Sequence, residues 1–184
     1  LAMLVFGLAA CGSVVQVLAA QQTVIVTDDL SGTIKVGVAY TTSDFNALQN
    51  SYDIVSLTSA QLAYVTGWQS YDTDTFQDSG YQWVTVTHSF GCVEEFYSLI
   101  SAGSLVSDTT SGAGGSEGGT QYPPLSLQKA NRIFKTEYRF ENTLIALAAT
   151  NATIPTTLQV QLPGKIVSTN GRILSDGKTV EWEW

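Results

Sequence analysis

The chain has 184 residues, enough for one domain and an N-terminal appendage, and 44% of them are hydrophobic, enough for a core. Its net charge is −8 with Lys and Arg totalling 8, which argues against nucleic acid as a partner, because phosphate binding needs a basic footprint. Charged residues are only 13%, about half the usual share, and Thr, Ser, Gln, Tyr and Gly carry the polar load; that profile suits a β-rich extracytoplasmic domain better than a cytosolic helical enzyme.

Residues 1–20, LAMLVFGLAACGSVVQVLAA, carry no charged side chain, and the first charge is Asp28. A run of about 20 apolar residues can cross a bilayer. A signal peptide shows a basic segment before its apolar run. Here neither that segment nor an initiator Met comes first, so the chain is expected to begin inside its leader. Leu8-Ala9-Ala10-Cys11 resembles a bacterial lipobox: Leu, two small residues, then Cys. A peptidase needs small side chains before the bond it cuts, and the Cys thiol must already carry the lipid. On this reading the leader ends at Ala10, Cys11 is the lipid attachment residue, and Gly12 and Ser13 begin a flexible tether. Two alternatives stay open. One is an uncleaved transmembrane anchor that contains a cysteine, and the other a pilin-like helix packed in a filament core.

Residues 21–184 read as one α+β domain. QTVIVTDDLSGTIKVGVAY predicts a β-hairpin. Ile34, Val36, Val38 and Tyr40 alternate with Thr33, Lys35, Gly37 and Ala39, and Asp28 to Gly32 supply turn chemistry. LTSAQLAYVTGW predicts a short helix, with Thr58 and Gln61 at capping-box spacing, Leu57 and Leu62 at staple spacing, and Gly67 as its C-terminal stop. YDTDTFQDSG reads as a loop and YQWVTVTHSF as a strand. GCVEEFYSLISAG predicts a second helix, with Glu94 and Glu95 favoured by the dipole of its first turn, Val93, Phe96 and Ile100 on one face, and Gly103 as its stop. SGAGGSEGGT at 111–120 is a flexible loop. NRIFKTEYRFEN predicts a strand with Phe134, Thr136, Tyr138 and Phe140 on one face and a solvated stripe of Lys135, Glu137, Arg139 and Glu141 on the other. Leu158, Val160 and Leu162 mark a further strand up to Pro163-Gly164, Val167 continues its apolar pattern, and Val180, Trp182 and Trp184 line the last strand after a turn at Asp176-Gly177. The expected architecture is a mostly antiparallel sheet of about six strands with two or more short helices, plus the N-terminal leader.

Few residues suggest chemistry. The lone His88 lies near a strand end beside Val84 and Val86, where a rim or core role is expected. As a general base it would need an orienting acid and a nucleophile. One His and no paired thiols argue against a zinc site, and no metal or cofactor is expected. Cys92 stands where a helix begins, which can lower a thiol pKa, yet it is expected to be a buried small hydrophobe. Asp72, Asp74 and Asp78 resemble a calcium loop, but Gln77 and Trp83 occupy the positions where an EF-hand needs Gly and Glu, so an acidic turn is the expectation. Asn151-Ala152-Thr153 is a glycosylation sequon, expected to be inert. Trp68, Trp83, Trp182, Trp184 and the tyrosines fit a core and sheet surface better than a ligand groove, with Trp182 and Trp184 the more exposed candidates.

The C-terminal run TLQVQLPGKIVSTNGRILSDGKTVEWEW resembles the LppM-type domain of bacterial envelope lipoproteins. The pattern is a strand ending near Pro, an S-T-N-G-like turn and a final Trp-bearing strand: Leu162-Pro163-Gly164, Ser168-Thr169-Asn170-Gly171 and Val180-Glu181-Trp182. TVIVTDDLSGTIKVGVAY and SGYQWVTVTHSFGCVEEFYSLI resemble the family's first hairpin and its strand followed by a helix. The chain departs from the family in the 111–120 loop and in carrying no further membrane helix before Trp184. The resemblance implies a lipidated Cys11 and a non-enzymatic envelope lipoprotein at the extracytoplasmic face of the cell membrane. Its domain would bind a lipid, glycolipid or other amphiphile, through residues the sequence does not name, with other envelope proteins as partners. The rival expectation is a structural subunit of a membrane complex or filament, held by an uncleaved N-terminal helix.

Overall fold

A computed structural model describes residues 16–103, 126–132, 135–141 and 154–183. The first hairpin forms as the alternation requires: β1 (Ala19–Val26) pairs antiparallel with β2 (Gly32–Thr41). Asp29 holds the turn. Its carboxylate accepts from Thr27 Oγ1 at 2.5 Å, Ser31 Oγ at 2.7 Å and Ser31 N at 3.1 Å. These donors favour the ionised form, foremost the Thr27 hydroxyl, and lower its pKa from 3.8 to about 2.

Two helices follow. α1 (Thr42–Gln49), which the pattern reading does not anticipate, is capped by Thr41 Oγ1 accepting from Asp44 N at 2.9 Å, and it buries Phe45 and Leu48. α2 (Ile54–Thr66) is capped by Asp53, which accepts from Ser56 N at 3.1 Å, and ends at Gly67 with φ 72°. The helix therefore starts a turn earlier than the Thr58–Gln61 spacing suggests. Thr58 is an interior residue, fully buried, with its hydroxyl 3.1 Å from Tyr40 Oη. Asp53 at four residues before Leu57 is the stronger cap because it meets an unpaired N–H of the first turn.

DTDTFQD is a strand, not a loop: β3 (Asp72–Asp78) pairs antiparallel with β4 (Tyr81–Phe90). Ser79 (φ 52°) and Gly80 (φ 83°) are both left-handed, the backbone of a two-residue hairpin turn whose twist matches its strands. Phe76 and Trp83 pair across it, rings 6.0 Å apart and 7° from parallel. That contact and the turn override the poor strand propensity of three aspartates. α3 (Val93–Gly103) forms as expected, with Phe96 fully buried. β5 (Ser126–Arg132) and β6 (Lys135–Glu141) make a separate two-stranded hairpin. NRIFKTEYRFEN thus divides between two strands, since Arg132 pairs with Lys135, while Tyr138 and Phe140 keep their shared inner face. Phe134 lies outside the described residues.

β7 (Thr156–Gln161), β8 (Arg172–Ile173) and β9 (Thr179–Glu183) complete a seven-stranded sheet in the order β3-β4-β2-β1-β7-β9-β8. The sheet is mixed rather than mostly antiparallel, because β7 returns to lie parallel to β1. The fold class is α+β, with three described helices. One face carries the row His88, Ile34, Val24, Val160, Val180 and Ile173, running strand to strand from β4 to β8. The helices pack on this face at β2 and β4. The β5–β6 hairpin joins the same core through Leu127 and Phe140, whose ring stands 6.4 Å from Phe96. Val167 does not extend the pattern; it is 95% exposed. Among the described residues no helix is long and apolar enough to cross a membrane, and the leader lies mostly outside them.

Tyr40→Phe removes the hydroxyl bond that ties the sheet to α2 and leaves a buried Thr58. Its cost is expected at about 1–2 kcal/mol, read as a lower urea midpoint with unchanged m-value. Asp29 has a folded pKa below its unfolded one, so its contribution is present above 3.8 and is lost as pH falls through about 2. A carboxyl-carbon NMR titration is expected to show that low midpoint, and Thr27→Val to move it back toward 3.8.

Candidate functional site

The described chain enters the fold at its middle. Val17 is already buried, Leu18 N donates to Ala39 O at 2.9 Å, and the chain then becomes β1, the fourth of seven strands. Cys11 lies outside the described residues, as do the 111–120 loop, the sequon at Asn151 and Trp184. Only seven residues, Gly12 to Leu18, separate Cys11 from β1.

The C-terminal motif is a clamp on the last strand. Trp182 is half-buried against the core, and its indole Nε1–H donates to Asn170 Oδ1 at 3.0 Å. Thr169 Oγ1 accepts from Gly171 N at 3.0 Å and shapes the turn. Gly171 is packed so closely that a Cβ there would meet Val180 Cγ1 at 2.5 Å and the Trp182 ring at 2.7 Å. The S-T-N-G turn and the Trp therefore belong to one unit, and Trp182 is a packed residue rather than an exposed one. Asp176 closes the β8–β9 turn by accepting from Lys178 N and Thr179 N, both at 2.9 Å.

On the opposite, helix-free face a polar row crosses the whole sheet: Asp72, Thr87, Lys35, Thr23, Gln159, Glu181 and Arg172. Glu181 is buried here, accepting from Gln159 Nε2 at 2.7 Å and paired with Arg172, which also reaches Glu183 at 3.2 Å. Burial works to raise the Glu181 pKa, but these hydrogen bonds and the guanidinium charge prevail and hold it below the ordinary glutamate value. Pattern reading sees Glu181 only as the residue between two inward ones; its partners come from strands distant in sequence.

His88 is half-buried at the rim, as expected. Its Nδ1 is 2.7 Å from Ser89 O, and its ring meets Trp68 edge-on at 5.6 Å. Trp68 is 6% exposed, and its Nε1–H has no acceptor among the described residues. Cys92 is exposed and free rather than buried, because it precedes the first turn of α3. Its side chain bonds Glu94, whose carboxyl is held below the usual range first by its own backbone N–H and then by Cys92. Asp72, Asp74 and Asp78 stand on the exposed edge strand β3, which replaces the expected acidic turn. Among the described residues no three His, Cys, Asp or Glu side chains gather as a metal site.

These residues define an α+β domain with a helix-backed seven-stranded mixed sheet whose first strand begins at Ala19, inside the uncharged stretch 1–20. No family profile and no curated protein matches the chain. Among solved structures it is similar to the folded domain of the Mycobacterium tuberculosis protein LppM, determined by NMR. The match has 15% identity and a TM-score of 0.44, over 92% of this chain and 83% of that one.

Gly171→Ala forces a methyl into Val180 and Trp182 and is expected to cost about 1–3 kcal/mol. A thermal melt checks it, and near-ultraviolet circular dichroism is expected to report a disturbed Trp182.

Proposed function

We propose that the protein is a membrane-anchored envelope lipoprotein. Cys11 carries a lipid that holds the domain at the extracytoplasmic face of the cell membrane, where it binds a lipid, glycolipid or other amphiphile without catalysing a reaction. One observation carries this reading: Leu8-Ala9-Ala10-Cys11 lies within an apolar, uncharged stretch, with seven residues between Cys11 and β1. An acidic domain of charge −8 is repelled by anionic lipid unless something tethers it, and a lipid on Cys11 supplies the tether.

The Trp68 indole supports the amphiphile. Its N–H is buried beside His88 in the layer between sheet and helices and lacks an acceptor among the described residues. A buried unpaired donor is costly, and an ester or hydroxyl oxygen on an otherwise apolar ligand would relieve it.

A second reading, a structural subunit of a membrane complex or filament, draws on α2. Its outer side presents Leu57 at 45% and Tyr64 at 81% exposure, a small apolar stripe suited to a neighbouring protein.

Mass spectrometry of protein extracted from membranes separates the two. The lipoprotein reading expects a chain beginning at Cys11 with a diacylglyceryl mass, and expects Cys11→Ser to remove that mass and release the domain from the membrane fraction. An intact peptide before Cys11 in a protein that stays membrane-bound as the Ser variant would favour the structural subunit.

A further inference from the structure

The sheet has two ends of different character. The proximal end is where β1 begins. There the row Phe76, Trp83, Ala39 and Ala19 crosses β3, β4, β2 and β1, and Tyr81, opposite Asp78 and Thr41, stands one step further out. Tyr81 is 39% exposed, while Phe76 and Trp83 are half-buried with their rings stacked. Tyr52, in the turn between α1 and α2, is also exposed at this end; α2 runs inward from it to place Thr58 on Tyr40. Thr42 Oγ1 donates to Gly80 O at 3.0 Å and ties α1 to the β3–β4 turn, so these elements form one rim. The distal end instead carries the β1–β2 turn with Asp28 and Asp29, the start of α3 with Glu94 and Glu95, and the Asp176 turn with Lys178.

The anchor reaches only the proximal end. Five residues, Gly12 to Gln16, lie between Cys11 and the buried Val17. Fully extended, that stretch spans about 20 Å, whereas a ten-residue strand such as β4 is about 33 Å long. A lipid on Cys11 therefore keeps the proximal rim within about 20 Å of the membrane surface and leaves the distal turns free to stand farther off. An uncleaved helix shortens the leash further.

We propose that the proximal rim, Tyr81, Trp83, Phe76 and Tyr52, is a docking surface for the headgroup layer of a zwitterionic lipid membrane. The inference rests on the anchored reading above. Tyr and Trp combine an apolar ring with a polar tip and settle at the membrane–water interface. The rim's charges choose the lipid. Asp44, Asp53 and Asp78 lie at this end, its described turns, 42–53 and 77–82, contain no Lys or Arg, and Lys35 Nζ lies 5.9 Å over the Phe76 ring. Carboxylates in excess over that ammonium are repelled by anionic lipid, so a zwitterionic surface is the one that accepts the aromatic rim.

The test uses the full lipidated chain in phosphatidylcholine vesicles, with its lipid confirmed by mass. One nitroxide label sits at the exposed native Cys92 near the distal end, and another at Asp78→Cys in a Cys92→Ser background. The proximal label is expected to collide several-fold less with an aqueous nickel reagent, and several-fold more with lipid-dissolved oxygen, than the Cys92 label. Adding phosphatidylglycerol is expected to reduce that contrast. Unlabelled wild-type protein is expected to show slowed amide exchange over 77–83 on phosphatidylcholine. Equal accessibility of the two labels in a chain that carries its lipid overturns the docking surface and leaves the anchor standing. A contrast that grows with phosphatidylglycerol overturns the choice of lipid. A chain without lipid that does not sediment with vesicles overturns the anchored reading and the docking surface together.

Discussion

The fold depends on β1 being shared. It pairs antiparallel with β2, its neighbour in sequence, and parallel with β7, more than a hundred residues away. Val24 on β1 touches both halves of the sheet through its row, with Ile34 on one side and Val160 on the other, each almost fully buried. Antiparallel hairpins alone would build two small sheets. Main-chain hydrogen bonds along both edges of β1 join them into one sheet, broad enough to bury a core under helices and a hairpin.

The two faces solve different problems. The helix-backed face excludes water, so a polar group there needs a partner: Tyr40 has Thr58, while the Trp68 indole N–H has none among the described residues. The other face carries a polar row from edge to edge, and its buried carboxylate at Glu181 is held by Gln159 and Arg172. The edges are managed as well. β3 places aspartates on its exposed edge and β8 is only two residues long, and both features discourage pairing with another sheet.

Because β1 is both the middle strand and the first, whatever precedes it emerges from one end of the sheet. That placement couples the leader to the fold. Seven residues separate Cys11 from β1, so an anchor at Cys11 would hold this end of the sheet close to the membrane. The same end gathers Tyr81, Trp83 and Phe76 from the β3–β4 hairpin by register with Ala39 and Ala19.

Local chemistry was readable in the sequence wherever it is self-contained. The first hairpin, β4, α3, β7, the Gly67 stop and the Asp176-Gly177 turn follow from periodicity and turn residues, and the leader and its Leu8–Cys11 motif need no fold to be seen. β3 was hidden because three aspartates outweigh Phe76 in propensity, although the Ser79-Gly80 turn was there to be noticed. α1 was hidden because eight residues with Phe45 and Leu48 show little period. The parallel β1–β7 pairing, the Glu181 cluster and the proximal aromatic rim belong to the tertiary structure alone. Each depends on which distant strands become neighbours, a matter of burying rows of side chains together that no single segment encodes.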